Sequence, residues 1–445
     1  IDYQEEHLLR KGVIRRIFKR RLLLTLSEEN IAENIIKDII RSGHLKNNSV
    51  PESKIDEIKN IINHFKFLHN GTEELDDWLT NIATSAIEET LFPPTSELLL
   101  AELMFFSIKN HLEITNQTIS EEDITMQLYI GVQRALLRVD NNQLNYRLFQ
   151  SIYPNWHNHN EAECQETAQN IPKIKNKIER QLRHPLAPYF FNLCNRYNTI
   201  FYLIGDLKEA THSTENFESM LQSSQHLEES TKEQYQKRYG RERKRLNRLA
   251  FFSVISFLLS KIAIALGLEI PIDVYLTHNF SWLSTIVNLA FPPFLILIIT
   301  SSIKMPSDKN FKLVIAGINY VLFEETNHTY ALKMARPKNT ISQIFLRLFY
   351  ASTIIVVFYE LFKILLALHF SIANMAGFAL FTSLVAATGV KIKNRARELS
   401  LEEEKSSVPL FLLDVIAMPF VTIGRLAITG LAQFNILVIL ANLII

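Results

Sequence analysis

The sequence predicts an all-α protein: a helical domain, a polar helical stalk, and a bundle of four or more transmembrane helices. Three observations predict it. Apolar residues recur with a period near 3.6 before residue 249, and Gly and Pro are scarce, 12 and 14 in 445 residues, which disfavours disorder and turn-rich β folds. Composition then changes sharply, and long apolar runs dominate. Between those runs, basic and non-basic loops alternate without a break, the pattern that orients helices in a membrane.

The first segment, residues 1–26, is a basic amphipathic arm. Its stretch RKGVIRRIFKRRLLL (10–24) holds seven basic residues between Arg10 and Arg21, interleaved with Val13, Ile14, Ile17 and Phe18. Such a segment suits an anionic lipid surface, bound through Arg15, Arg16, Lys19 and Arg20; a solvated helix is the plain alternative.

Residues 27–206 are expected to pack as an all-helical domain. The first helix spans 27–41, with Ser27 as its cap, Ile31, Ile35, Ile36, Ile39 and Ile40 on one face, and Gly43 beyond its end. The second runs from Pro51 to Asn70-Gly71, the third from about Thr72 to Pro93-Pro94, which end it. Further helices are read over 95–113, 120–138, 141–152, 161–181 and 186–204, each with one apolar face and short connectors. Residues 207–248 are polar almost all round and are read as a stalk.

Four apolar segments follow, 249–268, 282–302, 346–368 and 371–390, each able to cross about 30 Å of hydrocarbon with roughly 20 helical residues. The stretch FKLVIAGINYVLF (311–323) is apolar but too short to span, so it is expected to lie at the interface or re-enter. The stretch before the first span and the loops 303–345 and 391–407 carry Lys and Arg; the two intervening connections carry none. The basic loops and the helical domain are therefore expected on the cytoplasmic side of a bacterial inner membrane, with no leader pattern ahead of residues 1–240. Ile1 at the first position points to a processed end or a fragment. Residues 408–445 are apolar but interrupted by Asp414, Pro419, Gly424 and Arg425, and are read as amphipathic or membrane helices.

The net charge of +1 gives no global field for nucleic acid, and none is expected as a partner. Two cysteines, Cys164 and Cys194, make no disulfide framework and suit a reducing compartment. No phosphate loop, dinucleotide fingerprint, HExxH helix or GxSxG elbow occurs, which lowers the expectation of an enzyme, and no cofactor is expected. WHNHNEAEC (156–164) gathers His157, His159 and Cys164, with His184 and Cys194 further on; their spacing matches no zinc pattern, so the expectation is no metal. Pro292-Pro293 inside the second span marks either a hinge or a bent helix. Ala373, Ala376, Gly377, Ser383, Ala386, Ala387 and Gly389 give the fourth span a small-residue face for close packing in the bundle or at a homo-oligomer seam.

FPPFLILIITSSIKMPSDKN (291–310) and GVKIKNRARELSLEEEK (389–405) resemble uncharacterised multi-pass membrane proteins of bacteria. The resemblance covers the membrane half and implies no activity.

The costly residues are Lys261, Glu360 and Lys363, charged groups inside apolar runs. Lys261 lies 13 residues beyond Arg248, and Glu360 lies 13 beyond Arg347, so both reach about 20 Å from their basic collars at 1.5 Å per residue. Glu360 is expected to face the bundle interior between Lys261 and Lys363, either as a static clasp or as a titratable group on an ion path; Lys363 could instead reach the outer interface. Three functions follow: a membrane-anchored scaffold recruiting cytoplasmic protein partners through its helical domain, which the size of that domain favours; a transporter or channel using the three charges; and a lipid-acting enzyme, which no motif supports.

Overall fold

In a computed structural model, the structure describes residues 12–21, 30–68, 72–115, 119–154, 156, 161–211, 213–276, 278, 280–301, 308–323, 329–334, 340–397, 400–401 and 408–433. The chain divides into two compact units, Ile1–Phe201 with Asn327–Met334, and Tyr202–Thr326 with Ala335–Ile445.

The first unit begins with helix α1 (12–21), whose Ile14, Ile17 and Phe18 are buried at the spacing of one helical face. These side chains enter the same core as α2 (Ile31–Arg41) and α3 (Glu52–Leu68), and Phe18 meets Phe65 edge-on at 5.4 Å. Ser27 lies outside the described residues. Helix α4 (Glu73–Leu91) is buried on every side from Trp78 to Glu88, the mark of a central helix. Pro93 and Pro94 then end it, and α5 (Thr95–Asn110) leaves at 108° to it. Helices α6 (Glu121–Ala135) and α7 (Asn141–Ile152) start where Ser120 and Asp140 accept hydrogen bonds from the N–H of Asp123 and Gln143, ordinary side-chain caps. Helix α8 (Glu161–Leu182) closes the core through Ile171, Ile174 and Ile178. Helix α9 (Ala187–Thr211) carries the chain past Phe201.

The all-α expectation needs one amendment here. The helix read over 95–113 stops at Asn110, and Leu112–Thr115 forms strand β1, paired in parallel with strand β2 (Tyr330–Lys333). Tyr330 and Leu332 are buried while Ala331 and Lys333 are exposed, the period of two that a strand imposes. The Tyr330 ring stands edge-on to Tyr197 at 4.8 Å, and its hydroxyl lies 3.3 Å from Ser107 Oγ. A piece of the long loop 303–345 thus belongs to the first unit.

In the second unit the short helix α10 (Thr214–Leu221) precedes α11 (Ser224–Ile264). The polar stalk and the first apolar segment are one uninterrupted helix, which two π-helical turns, Ala265–Glu269 and Ile272–Leu276, prolong. Helices α12 (Trp282–Ser301), α13 (Asp308–Phe323), α14 (Thr340–Ala367), α15 (Ile372–Arg397) and α16 (Val408–Gln433) follow. Among the described residues, four helices are long and apolar enough to cross a membrane: Ser224–Tyr275, Trp282–Ile299, Ile341–Ala367 and Ile372–Asn394.

Helix α15 is the most buried of the four and α14 the least. The small residues of α15 explain why. A Cβ at Gly389 would meet the Ile299 side chain at 2.8 Å, and one on Gly424 of α16 would run into the Ser383 carbonyl. The small faces are therefore used within the chain, by α12 on one side and α16 on another. Helix α12 continues through Pro292 and Pro293, both buried.

The stalk is less polar than its composition suggests. Leu227, Thr231, Tyr235, Tyr239 and Leu246 are buried along it, nearly four residues apart. Against this stripe lies α13, whose Leu322 joins Leu227, Leu207 and Met220, and whose Phe311 meets Tyr235 at 5.1 Å. Asn310, fully buried, donates to the hydroxyls of Tyr235 and Tyr239 at 3.0 and 2.9 Å and accepts from the Leu401 N–H at 2.7 Å. The segment 311–323 thus packs on the polar part of α11.

Candidate functional site

Among the described residues, the buried charges of the second unit are Lys261, Glu269 and Asp273. All three stand on α11 and its π-helical extension. Lys261 is 0% exposed and donates to Glu269 Oε1 at 2.5 Å. Eight residues separate the two, and the π turn Ala265–Glu269, wider than an α turn, brings them onto one face. Pro271 interrupts the helical ladder between the two widened turns because it has no N–H to donate; π turns of this kind re-aim side chains and recur at functional sites.

Helices α12 and α15 complete the surroundings. Asn288, 2% exposed, donates from Nδ2 to Glu269 Oε2 at 2.9 Å. Asn374, also 2% exposed, donates to the carboxylate of Asp273, itself 1% exposed. The Lys261 ammonium lies 4.9 Å from the centre of the Phe381 ring, a favourable position for a cation over an aromatic face. Gly377 lies between Asn374 and Phe381 on α15, and a Cβ there would collide with Glu269 Oε1. Ser284, one turn before Asn288 on α12, is buried at 1%. The ion pair is thus contacted by the Asn288 amide from α12 and by Phe381 and Gly377 from α15.

The charges expected to cooperate do not. Lys261 pairs with Glu269 and not with Glu360. Glu360 and Lys363 are exposed on α14, and among the described residues neither makes an ion pair. The reason lies in packing: α14 is the least buried of the four apolar helices, so equal depth along two helices does not bring their side chains together. Glu269 and Asp273 lie in EIPIDVYLTHNFS, a connection whose lack of Lys and Arg sets its expected side of the membrane. The sequence signal for them is Asn288 and Asn374 inside apolar helices and the four-residue spacing from Glu269 to Asp273.

In the first unit, the basic arm folds onto protein. Arg15 and Lys19 reach Asp77 at 3.2 and 2.8 Å, and Arg20 and Arg21 reach Asp38 at 3.3 and 2.8 Å. Burial pushes the Asp38 carboxyl up, but the hydrogen bond and charge of Arg21, with Arg20 and Arg41, outweigh it and hold the group below its usual range. The Lys19 hydrogen bond holds Asp77 below its usual range as well, against partial burial. Arg16 is exposed. The apolar side of the arm, which would have entered a lipid surface, is core.

His157 and His159 lie outside the described residues, and no group of three metal-ligating side chains occurs among those described. Cys164 is buried, and Cys194 is fully buried, which pushes its thiol well above the usual range. A Cβ on Gly131 would meet Cys194 Sγ at 3.1 Å, so this cysteine acts as packing between α6 and α9.

No protein-family model, curated protein or solved structure matches the chain. The class is set by its own features: an all-α chain that has, among the described residues, four helices long and apolar enough to cross a membrane, with a buried ion pair and a second buried carboxylate on the first of them.

Proposed function

We propose that the chain is a multi-pass membrane transport protein whose ion-handling groups are Lys261, Glu269 and Asp273. The observation that carries this reading is the Lys261–Glu269 ion pair buried among apolar helices, with the Asp273 carboxylate buried further along the same helical segment. An ionised group at mid-bilayer costs on the order of 2.5–3.5 kcal/mol on insertion scales, and Lys261 with Glu269 alone would serve as a static clasp. Asp273, held by the Asn374 amide, adds a second ionisable group to the segment. The basic flanks at 237–248 and 391–397 support an orientation with those segments and the helical unit in the bacterial cytoplasm. Lys261, 13 residues past Arg248, then lies about 20 Å along the helix, and Glu269 and Asp273 follow toward the opposite side.

The test is flux. Purified protein in liposomes, given either a proton or a sodium gradient, is expected to dissipate one of them. Asp273→Asn is expected to slow that flux by on the order of tenfold or more, as loss of a charge-assisted contact would, while the protein still elutes as a single species. Unchanged flux in Asp273→Asn would refute the reading.

A second role rests on the first unit. It closes its own core and docks β2 on β1, which supports a membrane-anchored scaffold that recruits a cytoplasmic protein. The lipid-acting enzyme gains no support from any described side chain and is not proposed.

A further inference from the structure

Helix α14 packs with one side and leaves the other bare. Tyr350 hydrogen-bonds to Thr422, and the Phe358 ring meets Phe420 at 5.1 Å, both on α16. Leu361 and Leu365, on the same side, join Phe378 of α15. The opposite side carries Phe349, Ser352, Val356, Glu360, Lys363 and Ala367, all exposed. Successive members stand three or four residues apart, so they form one stripe along the helix, the spacing by which two helices interlock. Among the described residues neither Glu360 nor Lys363 makes an ion pair. Glu360 lies 13 residues past Arg347, about 20 Å into a hydrocarbon layer about 30 Å thick. Lys363 can carry its ammonium toward the interface on a long stem. The short stem of Glu360 cannot do so, and a lone carboxylate facing hydrocarbon is strongly unfavourable.

We infer that this stripe is the seam between two copies of the chain, paired about a two-fold axis along the membrane normal, with Glu360 of each copy bonded to Lys363 of the other. Such an axis runs the two α14 helices parallel and sets the stripe against itself. Glu360 and Lys363 stand three residues apart, about 4.5 Å along the helix, a shift that a lysine stem spans. Both carboxylates and both ammonium groups are then neutralised at once. Charge decides against the other occupants: lipid tails carry no cation, and residues 434–445 of this chain contain no Lys, Arg, Asp or Glu. The seam lies on α14 and not on the small-residue face of α15, which α12 and α16 already occupy. It goes beyond the transport reading and uses none of Lys261, Glu269 and Asp273.

The experiment is oxidative cross-linking of the full chain in membranes through single added cysteines, the native Cys164 and Cys194 being buried. Val356→Cys, on the stripe, is expected to yield a product of twice the chain mass. Ile355→Cys, exposed at the same depth but about 100° round the helix, is expected to yield little. Glu360→Lys and Lys363→Glu, each added to Val356→Cys, set like charges across the seam, and each is expected to cut the dimer yield by about tenfold or more. Produced together under different tags, these two chains are expected to cross-link to one another at the level of Val356→Cys alone. That recovery requires pairing between copies, since pairing along one helix is lost in both chains and no mixture restores it. Equal products from Ile355→Cys and Val356→Cys, no dimer from Val356→Cys, or its capture of a different protein would overturn the seam. So would a mixed pair that stays uncross-linked while both chains are present in the membrane at native amounts.

Discussion

Lys261→Met is expected to destabilise the helix bundle by about 3–5 kcal/mol, the usual consequence of removing one partner from a buried ion pair. The loss is large because Glu269, 7% exposed, keeps only the Asn288 amide among the described residues. The readout is the unfolding temperature in detergent and the yield of monodisperse protein. Glu269→Gln in the same chain is expected to recover much of both, because the neutral amide no longer needs a cation. A double variant no better than Lys261→Met alone would show that the pair does not hold the bundle. Glu360→Gln, by contrast, is expected to change stability little, since Glu360 is exposed on the most peripheral apolar helix.

Glu89→Ala is expected to have an effect of similar size in the first unit. Arg147 donates from Nε to Glu89 Oε1 at 2.9 Å, and their side chains are 5% and 13% exposed. Gln143 also donates to Glu89, and Arg147 donates to Gln133. Removing the carboxylate leaves a guanidinium in the core, at a cost of about 3–5 kcal/mol. In the full-length chain, limited proteolysis of residues 1–201 is expected to accelerate by more than about a hundredfold, as that free energy implies when cleavage follows local opening. Adding Arg147→Met is expected to restore part of the protection. Proteolysis at the native rate in Glu89→Ala would exclude a structural role for the pair.

The elements that were legible in the sequence are those set by local chemistry. Ser120 and Asp140 stand where caps were needed, Pro93-Pro94 ended α4, and the apolar runs gave the four long helices. What failed was whatever depended on which neighbour a face meets. The arm at 12–21 carried the pattern of a lipid-surface helix, yet the same alternation serves a helix whose apolar side joins a core and whose cations meet Asp38 and Asp77. Periodicity shows that a face is apolar and does not show what covers it. The stalk illustrates the converse, for a sparse stripe of Leu227, Tyr235 and Tyr239 sufficed to dock α13. Strand β1 was missed because four residues at the end of a helical pattern are too few to reveal a change of period, and their partner lies more than 200 positions away.

The candidate site was half legible. Lys261 was recognisable as a costly charge from its place in an apolar run, but its expected partner was Glu360, which is exposed on α14. The choice of Glu360 rested on depth alone, whereas the π-helical turns around Pro271 bring Glu269 back onto Lys261 from within the same helix. No spacing rule for an ideal α-helix anticipates that local widening.

The arrangement of the bundle in a membrane is tested most directly by the reach of an impermeant maleimide. The native cysteines are buried at 6% and 0% exposure, so single added cysteines report on their own positions. His278→Cys and Ile372→Cys, at exposed residues beside the polar cluster, are expected to react on intact spheroplasts. Gln236→Cys and Asn394→Cys, exposed on the basic segments, are expected to react only after permeabilisation. Labelling of Gln236→Cys and Asn394→Cys on intact cells, with His278→Cys and Ile372→Cys protected, would contradict the account.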